Sequence, residues 1–410
     1  MRKKAFWVTL LLTLLLVFNV ATPSAYAFTE EQKLVLQSWR LVNQAYIDET
    51  FNHQNWWKVR EKFLKNRLES PEDAYKAIDE MLSTLEDPFT RLLRPQQYHG
   101  LKISTAGELS GLGLQININE ETGWLEVLAP MAASPGESAG ILPHDRILTI
   151  DGIDTTTLSL EEAAEKMRGA AGTKVSLQIQ SSGKNEIRTL ELTRDRISLN
   201  PVVANLDDHL EEIPIGYLRL NQFSANATKE VAHAIADLQA QGAKAYILDL
   251  RNNPGGLLQA GIEIARLWLK DGAIVYTVNR QGMLDSFMAT DAELTEAPLV
   301  VLVNRGTASS SEILAGALQD NGRALLVGQK TFGKGLIQSL FELPNGAGLA
   351  VTVAKYETPN HKDINKLGIV PDEIVPQEPI TYDRIGTDLD EQYQTAVKLL
   401  SANTVIAKAA

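Results

Sequence analysis

The 410-residue chain contains no cysteine. That absence excludes disulfides, a thiol nucleophile and any thiolate metal site. Histidine is scarce, with six residues at positions 53, 99, 144, 209, 233 and 361. No pair of them has the spacing of a metal-binding helix, so neither a metal nor another cofactor is expected. Positive charge is also short: 39 Lys and Arg face 51 Asp and Glu, for a net charge of −12. That balance argues against nucleic acid or an anionic membrane surface as the partner. Long apolar runs are confined to the start. Ala5–Ala21, broken only by Thr9, Thr13 and Asn19, follows Arg2, Lys3 and Lys4 and precedes Ala25-Tyr26-Ala27. A charged start, an apolar stretch and a small-x-small site read as a secretory signal peptide over residues 1–27. No later run has spanning length, so the mature chain is expected to be exported and not membrane-spanning.

What is present is ordinary globular composition, 44% hydrophobic, in a chain too long for one core. Residues 28–97 read as helical: Trp39, Leu41, Val42, Ala45 and Tyr46 recur at helical spacing, and Ser70-Pro71-Glu72-Asp73 looks like a capped helix start. Over 98–195 the pattern changes to short strands, at Gly113–Asn119, Leu125–Leu128, Arg146–Ile150, Val175–Gln180 and Thr189–Leu192, with one helix opened by the capping box Ser159–Glu162. From 196 to 380 strand and helix alternate. Ile215–Leu220, Ala245–Leu250, Ile274–Val278 and Leu299–Val303 are β-like, separated by helical Lys229–Gln241, Leu257–Leu269 and Ser311–Gln319. Such alternation predicts a βαβ sheet with crossover helices. Leu336–Leu343 and Gly348–Tyr356 read as a hairpin, and 381–410 as a helical tail.

Ser110-Gly111-Leu112-Gly113-Leu114, Ser134-Pro135 through Ala139-Gly140-Ile141, and Asp145-Arg146-Ile147-Leu148-Thr149-Ile150-Asp151-Gly152 resemble a PDZ domain of the circularly permuted bacterial kind. The loop Ser110–Leu114 is then expected to offer backbone N–H groups to a peptide's terminal carboxylate. The strand after it would take the peptide by β-augmentation, and Arg168, at the end of the facing helix, is a candidate for sensing it. Two other matches carry less. Gly136-Glu137-Ser138-Ala139-Gly140 fits the G-x-S-x-G elbow but lacks the strand-before, helix-after context. Gly328–Gly335 nearly matches a phosphate loop, with Gly335 where Ser or Thr must hold magnesium.

Three segments in the second half carry chemistry. Asp249-Leu250-Arg251-Asn252-Asn253-Pro254-Gly255-Gly256 follows a strand and opens a helix, and Asn304-Arg305-Gly306-Thr307-Ala308-Ser309-Ser310-Ser311-Glu312 repeats that layout. Lys334 lies in Phe332-Gly333-Lys334-Gly335, with Gln338 four residues on. These motifs, with Tyr356-Glu357-Thr358-Pro359 and Gly368-Ile369-Val370-Pro371-Asp372, resemble the C-terminal processing (tail-specific) serine peptidase family over residues 33 to 375. The resemblance implies an α/β multidomain fold: an N-terminal helical region, a PDZ-like β domain, and a βαβ crotonase- or Clp-protease-like core with the catalytic site. It places the nucleophile on Ser309 and the base on Lys334. Taken singly, each motif residue has a plain alternative, Ser309 as a helix cap, Lys334 as a surface charge and Gly255-Gly256 as a turn.

The chemistry is coherent without histidine. A serine hydroxyl needs a base, and a lysine serves once its surroundings favour the neutral amine. Phe332 and Leu336 are expected to supply apolar cover. If Lys334 begins a strand, Gln338 lies on the same face and orients the amine. Backbone N–H groups of Ser310 and of Gly255 or Gly256 would form the oxyanion hole. A catalytically silent PDZ adaptor on the same scaffold would have no need of Ser309, Lys334 and Gln338. Pro359-Asn360-His361-Lys362-Asp363-Ile364-Asn365-Lys366, Phe28-Thr29-Glu30-Glu31-Gln32 and Ser38–Asn43 resemble the family's plant and cyanobacterial branch. That branch trims the C-terminal extension of the D1 protein of photosystem II in the thylakoid lumen. The resemblance therefore implies a protein substrate with a free C-terminus and a lumenal or periplasmic enzyme.

Overall fold

The computed structural model describes residues 28–65, 67–119, 122–131, 133–181, 186–208, 213–378, 380–381 and 384–409. The expected signal peptide and His209 lie outside them. Among the described residues no helix is long and apolar enough to cross a membrane. The chain divides into two compact units, residues 28–92 with 340–351, and residues 93–339 with 352–410.

The first unit is helical. Helix α1 (Glu30–Ala45) opens on a capping box, with Thr29 and Gln32 each taking the other's backbone N–H. Helix α2 (Trp56–Leu64) is capped by Asn55, and α3 (Pro71–Ser83) by Ser70 with proline at its first position. Leu34, Val35, Trp39 and Val42 of α1 are buried, as are Ala74, Ile78 and Met81 of α3, and the two helices pack together. Within this unit the tip of a later hairpin is held by Asn345, whose amide donates to the Tyr75 hydroxyl at 2.7 Å.

A short strand β1 (Arg91–Leu93) and helix α4 (Pro95–Ala106) lead into the β domain. Strand β2 (Glu108–Gly111) pairs with β9 (Asp195–Ser198), so the domain is entered and left through one antiparallel ribbon. Between them lie β3 (Leu114–Ile118), β4 (Leu125–Pro130), the one-turn helix α5 (Pro135–Ser138), β5 (Arg146–Ile150), β6 (Ile153–Asp154), α6 (Leu160–Met167), β7 (Lys174–Gln180) and β8 (Ile187–Thr193). The sheet order is β3-β4-β5-β7-β8, which leaves β3 at an edge beside α6. Alternate residues Leu125, Val127, Ile147, Ile150, Val175, Leu177 and Ile179 form the core.

The remainder of this unit is built on a six-stranded sheet in the order β10-β11-β12-β15-β16-β19. Its members are β10 (Val202–Asp207), β11 (Ile215–Leu220), β12 (Ala245–Asp249), β15 (Leu299–Val303), β16 (Leu325–Gly328) and β19 (Glu373–Ile374). All are parallel except the antiparallel edge β10. Strands β11, β12 and β15 are buried at every residue, as a parallel sheet covered on both faces requires. Period two sorts them. Leu218, Leu248 and Val301 face α7 (Ala227–Ala240), α8 (Leu258–Arg266) and α9 (Ser310–Asp320), while Ile247, Val300 and Leu302 face α10 (Glu391–Ala409).

One strand sits elsewhere than the alternation predicts. β13 (Ala273–Asn279) pairs antiparallel with β14 (Gly282–Met288) and with the end of β18 (Gly348–Glu357), outside the parallel sheet. Periodicity specifies that a segment is extended, and the partner is chosen by the hairpin turn that follows it. Strand β17 (Leu336–Glu342) precedes β18, and the two form the expected hairpin.

Candidate active site

The site is built on the turns at the carboxyl ends of β12 and β15. The turn after β12 is shaped by glycine. Gly255 has φ +95°, and a Cβ there would lie 2.7 Å from the Ala308 carbonyl oxygen and 2.8 Å from Ser309 Cβ. Only hydrogen on that carbon lets the turn lie against Ser309. The two turns are also stitched directly. Ala308 donates its N–H to the Asn253 carbonyl at 3.0 Å, and Thr307 Oγ1 donates to the Leu250 carbonyl at 2.8 Å.

Ser309 stands between β15 and α9 at φ +58°, ψ −120°, a conformation that side-chain-bearing residues rarely adopt. Such a backbone costs on the order of 1–3 kcal/mol and persists where surrounding contacts impose it. Ser309 is half-buried, and its neighbours are committed elsewhere. Ser310 Oγ donates to the Gly256 carbonyl at 3.1 Å and Ser311 Oγ to the Asn253 carbonyl at 2.9 Å, and both residues are buried. Of three adjacent serines, two hold the turn and Ser309 is the most exposed.

Glu312 completes the arrangement, and the sequence reading assigned it no role beyond its place in the motif. Its side chain is fully buried one turn into α9. One carboxylate oxygen takes the N–H of Ser309 and the N–H of Lys334, each at 2.9 Å. The other takes Thr331 Oγ1 at 2.5 Å and the Gly333 N–H at 2.7 Å. Four donors offset the desolvation of this carboxylate. The spacing Ser-x-x-Glu at a helix start was the available signal, since Glu at that position reaches back to the preceding N–H groups. Tyr356, on β18, is buried as well, and its hydroxyl reaches the carbonyl oxygens of both Ser309, at 3.0 Å, and Lys334. Burial foremost, and the nearby Glu312 charge, push its phenol well above the ordinary tyrosine value.

Lys334 is half-buried on the loop between β16 and β17. Two expectations about that loop change. The Phe332 ring is 58% exposed and lies outside the buried core. Thr331 and Gly333 both turn inward to Glu312, so the residue between them faces out. Strand β17 begins at Leu336, so period two does not relate Lys334 to Gln338. Gln338 instead points its amide nitrogen at Thr352 Oγ1, 3.5 Å away. The Gly328–Gly335 segment joins strand to strand with no helix after it, so it is not a phosphate loop.

Of the oxyanion candidates, the Gly255 N–H donates to Asn253 Oδ1 at 2.9 Å. Among the described residues no acceptor bonds the N–H of Gly256 or Ser310. The Ser310 N–H lies at the N-terminus of α9, where the helix dipole adds to it.

In the β domain, Leu109, Gly111, Leu112, Gly113, Leu114, Ile116, Ala164, Met167 and Arg168 line a cleft of about 60 Å³ between edge strand β3 and α6. Among the described residues the N–H groups of Leu112 and Gly113 bond no acceptor, and Gly113 holds φ +67°. Ser110 Oγ donates to the Gly169 carbonyl at 2.7 Å, which ties β2 to the chain just after α6. Arg168 stands on its rim with the guanidinium paired to Glu165 at 2.7 Å. Ser138 is exposed on the one-turn helix α5, within this domain.

The cleft beside edge strand β3 and the parallel-sheet core each match a known family. Residues 214–375 match Peptidase family S41, and residues 126–181 match the PDZ domain. The chain is 64% identical over 408 residues to a carboxyl-terminal-processing protease of Synechocystis sp., covering 99% of this chain and 96% of that one. It is 44% identical over 383 residues to carboxyl-terminal-processing peptidase 2, chloroplastic, of Arabidopsis thaliana, covering 90% and 73%. A solved structure of the photosystem II D1 C-terminal processing protease is 39% identical, with a TM-score of 0.57, over 89% of this chain and all of that one. The protein belongs to the carboxyl-terminal-processing protease family, within Peptidase family S41.

Proposed function

We propose that the protein cuts its substrates with Ser309 as nucleophile and Lys334 as base. The observation that carries this reading is the shared Glu312 oxygen, which holds the two residues' amides at 2.9 Å each, with Ser309 strained at a helix N-terminus. The neutral Lys334 amine takes the Ser309 proton as Oγ attacks the scissile carbonyl. The resulting oxyanion lies against the Ser310 N–H and an N–H of the Gly255-Gly256 turn. Lys334 then returns the proton to the leaving amine, and water repeats the sequence on the acyl-enzyme. Gln338, with its amide nitrogen turned to Thr352, is assigned through its amide oxygen to orienting the amine from β17.

The cleft between β3 and α6 takes the substrate's free C-terminus. Its carboxylate meets the Leu112 and Gly113 N–H groups, and the chain adds to β3 as an extra strand, with Arg168 beside it. The likeness to the photosystem II D1 C-terminal processing protease supports the D1 precursor as substrate. It also supports a lumenal or periplasmic site of action, which the chloroplastic relatives favour.

The test uses purified protein and a synthetic peptide matching the D1 precursor tail, read by mass spectrometry. Cleavage at one bond, lost in Ser309→Ala and in Lys334→Ala with folding intact, is expected. Near-normal turnover by Ser309→Ala would overturn the nucleophile assignment, and an uncut D1 peptide beside a cleaved generic peptide would overturn the substrate.

A further inference from the structure

Tyr356 is fixed on three sides. Its ring lies in the core between the parallel sheet and helices α7 to α9, where it is 1% exposed. Its backbone N–H donates to the Gly335 carbonyl at 3.0 Å, which ties β18 to the loop just past Lys334. From that anchored position the hydroxyl returns to the carbonyl oxygens of Lys334 and Ser309. The far side of the same loop is closed by residues 365–368. A Cβ on Gly335 would lie 2.7 Å from the Asn365 nitrogen, and one on Gly333 3.0 Å from the Gly368 nitrogen. The Lys334 loop is thus held between a close-packed backbone on one side and a phenol on the other.

The two residues whose carbonyls Tyr356 reaches are the two whose N–H groups meet on Glu312. Glu312 lies one turn away from Ser309 on α9 and positions both amides through its carboxylate. Tyr356 comes from a different element, β18, and acts on the peptide unit that follows each of the two residues, while Glu312 holds the one before it. A residue held only at the peptide before it can still swing about its own Cα, and a contact on the peptide after it removes that freedom. The Ser309 carbonyl also accepts the helical N–H groups of Glu312 and Ile313, at 2.8 and 3.0 Å. Its direction is therefore already set by α9, and the hydroxyl refers Lys334 to that fixed point.

We propose that Tyr356 is a positioning residue of the peptidase, whose hydroxyl sets the distance between Ser309 and Lys334 by bridging their carbonyl groups. This rests on the Ser309–Lys334 reading given above. The phenol keeps its proton throughout the working pH range, because burial and the Glu312 charge oppose its loss, and that one hydrogen is shared between the two carbonyl oxygens. It touches neither the scissile bond nor the amine, and its influence is on geometry. Small errors in such geometry are expensive: a displacement of about 1 Å costs on the order of 100-fold in rate.

The experiment compares wild type, Tyr356→Phe and Ser309→Ala on a peptide with a free C-terminus, together with labelling by a fluorophosphonate, which reacts with the activated serine. Tyr356→Phe keeps the ring and its packing and removes one oxygen. The expected result is a fall in kcat on the order of 10–100-fold with KM within about twofold. Fluorophosphonate labelling, counted per folded molecule on a native gel, should slow in parallel. The midpoint of the rising pH limb should also move, since the amine would no longer be held at its wild-type distance from the hydroxyl. A Ser309→Cys background should shrink the loss, because a thiol leans less on the base. Wild-type kcat and labelling in Tyr356→Phe would overturn the proposal. So would a loss of folded protein whose surviving fraction labels at the wild-type rate, since the hydroxyl would then serve the fold alone. Turnover by Ser309→Ala would instead sink the dyad itself, whatever Tyr356→Phe does.

Discussion

Ser309 and Lys334 donate their backbone N–H groups to the same carboxylate oxygen of Glu312, each at 2.9 Å. They lie 25 positions apart in the chain, and their side chains come from a helix start and a loop before a strand. One buried carboxylate makes them neighbours.

Glu312→Gln tests that relationship. Gln keeps the size but turns one acceptor into an N–H₂ group facing backbone donors. Because the site is buried, the variant should lose about 1–3 kcal/mol of stability for each donor left unpaired. Activity should fall further than the melting temperature predicts, since both reacting residues lose their common anchor. Thermal melts and peptide turnover measured on one preparation check both; full activity at a lowered melting temperature would confine Glu312 to stability.

The three serines should separate cleanly. Ser310→Ala and Ser311→Ala each remove one hydroxyl that donates to a turn carbonyl, at a cost of about 1 kcal/mol in stability. Both should retain the reactive serine and label with fluorophosphonate, while Ser309→Ala should not. Labelling that survives in Ser309→Ala but disappears in Ser310→Ala would move the nucleophile by one position.

Amidating a substrate's C-terminus should reduce kcat/KM on the order of 10–100-fold, the worth of a charge-assisted contact of about 1.5–3 kcal/mol. Gly113→Ala should erase that difference. Gly113 holds φ +67°, and a Cβ there would lie 2.3 Å from Ser134 Cβ, so the carboxylate loop has to move. Kinetics on paired free and amidated peptides decide it, and equal cleavage of the two by wild type would show that the cleft does not read the carboxylate.

Acid should loosen the tail from the motif. Arg251 bonds Asp390 through both terminal nitrogens at 2.8 Å and is also paired with Asp249. Burial works to raise the Asp390 carboxyl, but the Arg251 hydrogen bond and charge outweigh it and hold the group below its usual range. A carboxyl depressed in the folded state contributes stability that is complete above its unfolded value, about 3.9, and drains away as pH falls toward the folded value. The melting temperature should therefore drop below about pH 4, and Asp390→Asn should be less stable near neutrality, by about 3–5 kcal/mol, with a flatter acid limb. Parallel acid limbs in the two proteins would exclude Asp390 as the cause.

Chelation should leave turnover unchanged, as a serine and a lysine require no metal. Among the described residues no three His, Asp or Glu side chains are grouped to hold one. Loss of activity in EDTA that zinc restores would contradict the proposed chemistry.

The strands of the parallel sheet were legible because each is a short, fully apolar run between turn residues, and Ile215–Leu220 and Leu299–Val303 have the predicted bounds. The capping boxes were legible because they are local: Ser159 and Glu162 meet within one turn. The motif residues, too, stand in the chain as plain text; the lack of cysteine set aside thiol chemistry, and none of the six histidines falls within the motifs. Contact between distant segments was not legible. That β13 leaves the parallel sheet, that Phe332 faces solvent, and that Gln338 lies beyond a strand start at Leu336 all depend on partners far along the chain. So do the surroundings of Ser309, Ser310 and Ser311, three identical side chains of which the motif singles out the first. Packing gives two of the hydroxyls buried carbonyls on the Asn253–Gly256 turn. The sequence alone determined which groups are available for chemistry; only packing, by setting which polar atoms must pair with one another when water is excluded, decided which of them remain free to react.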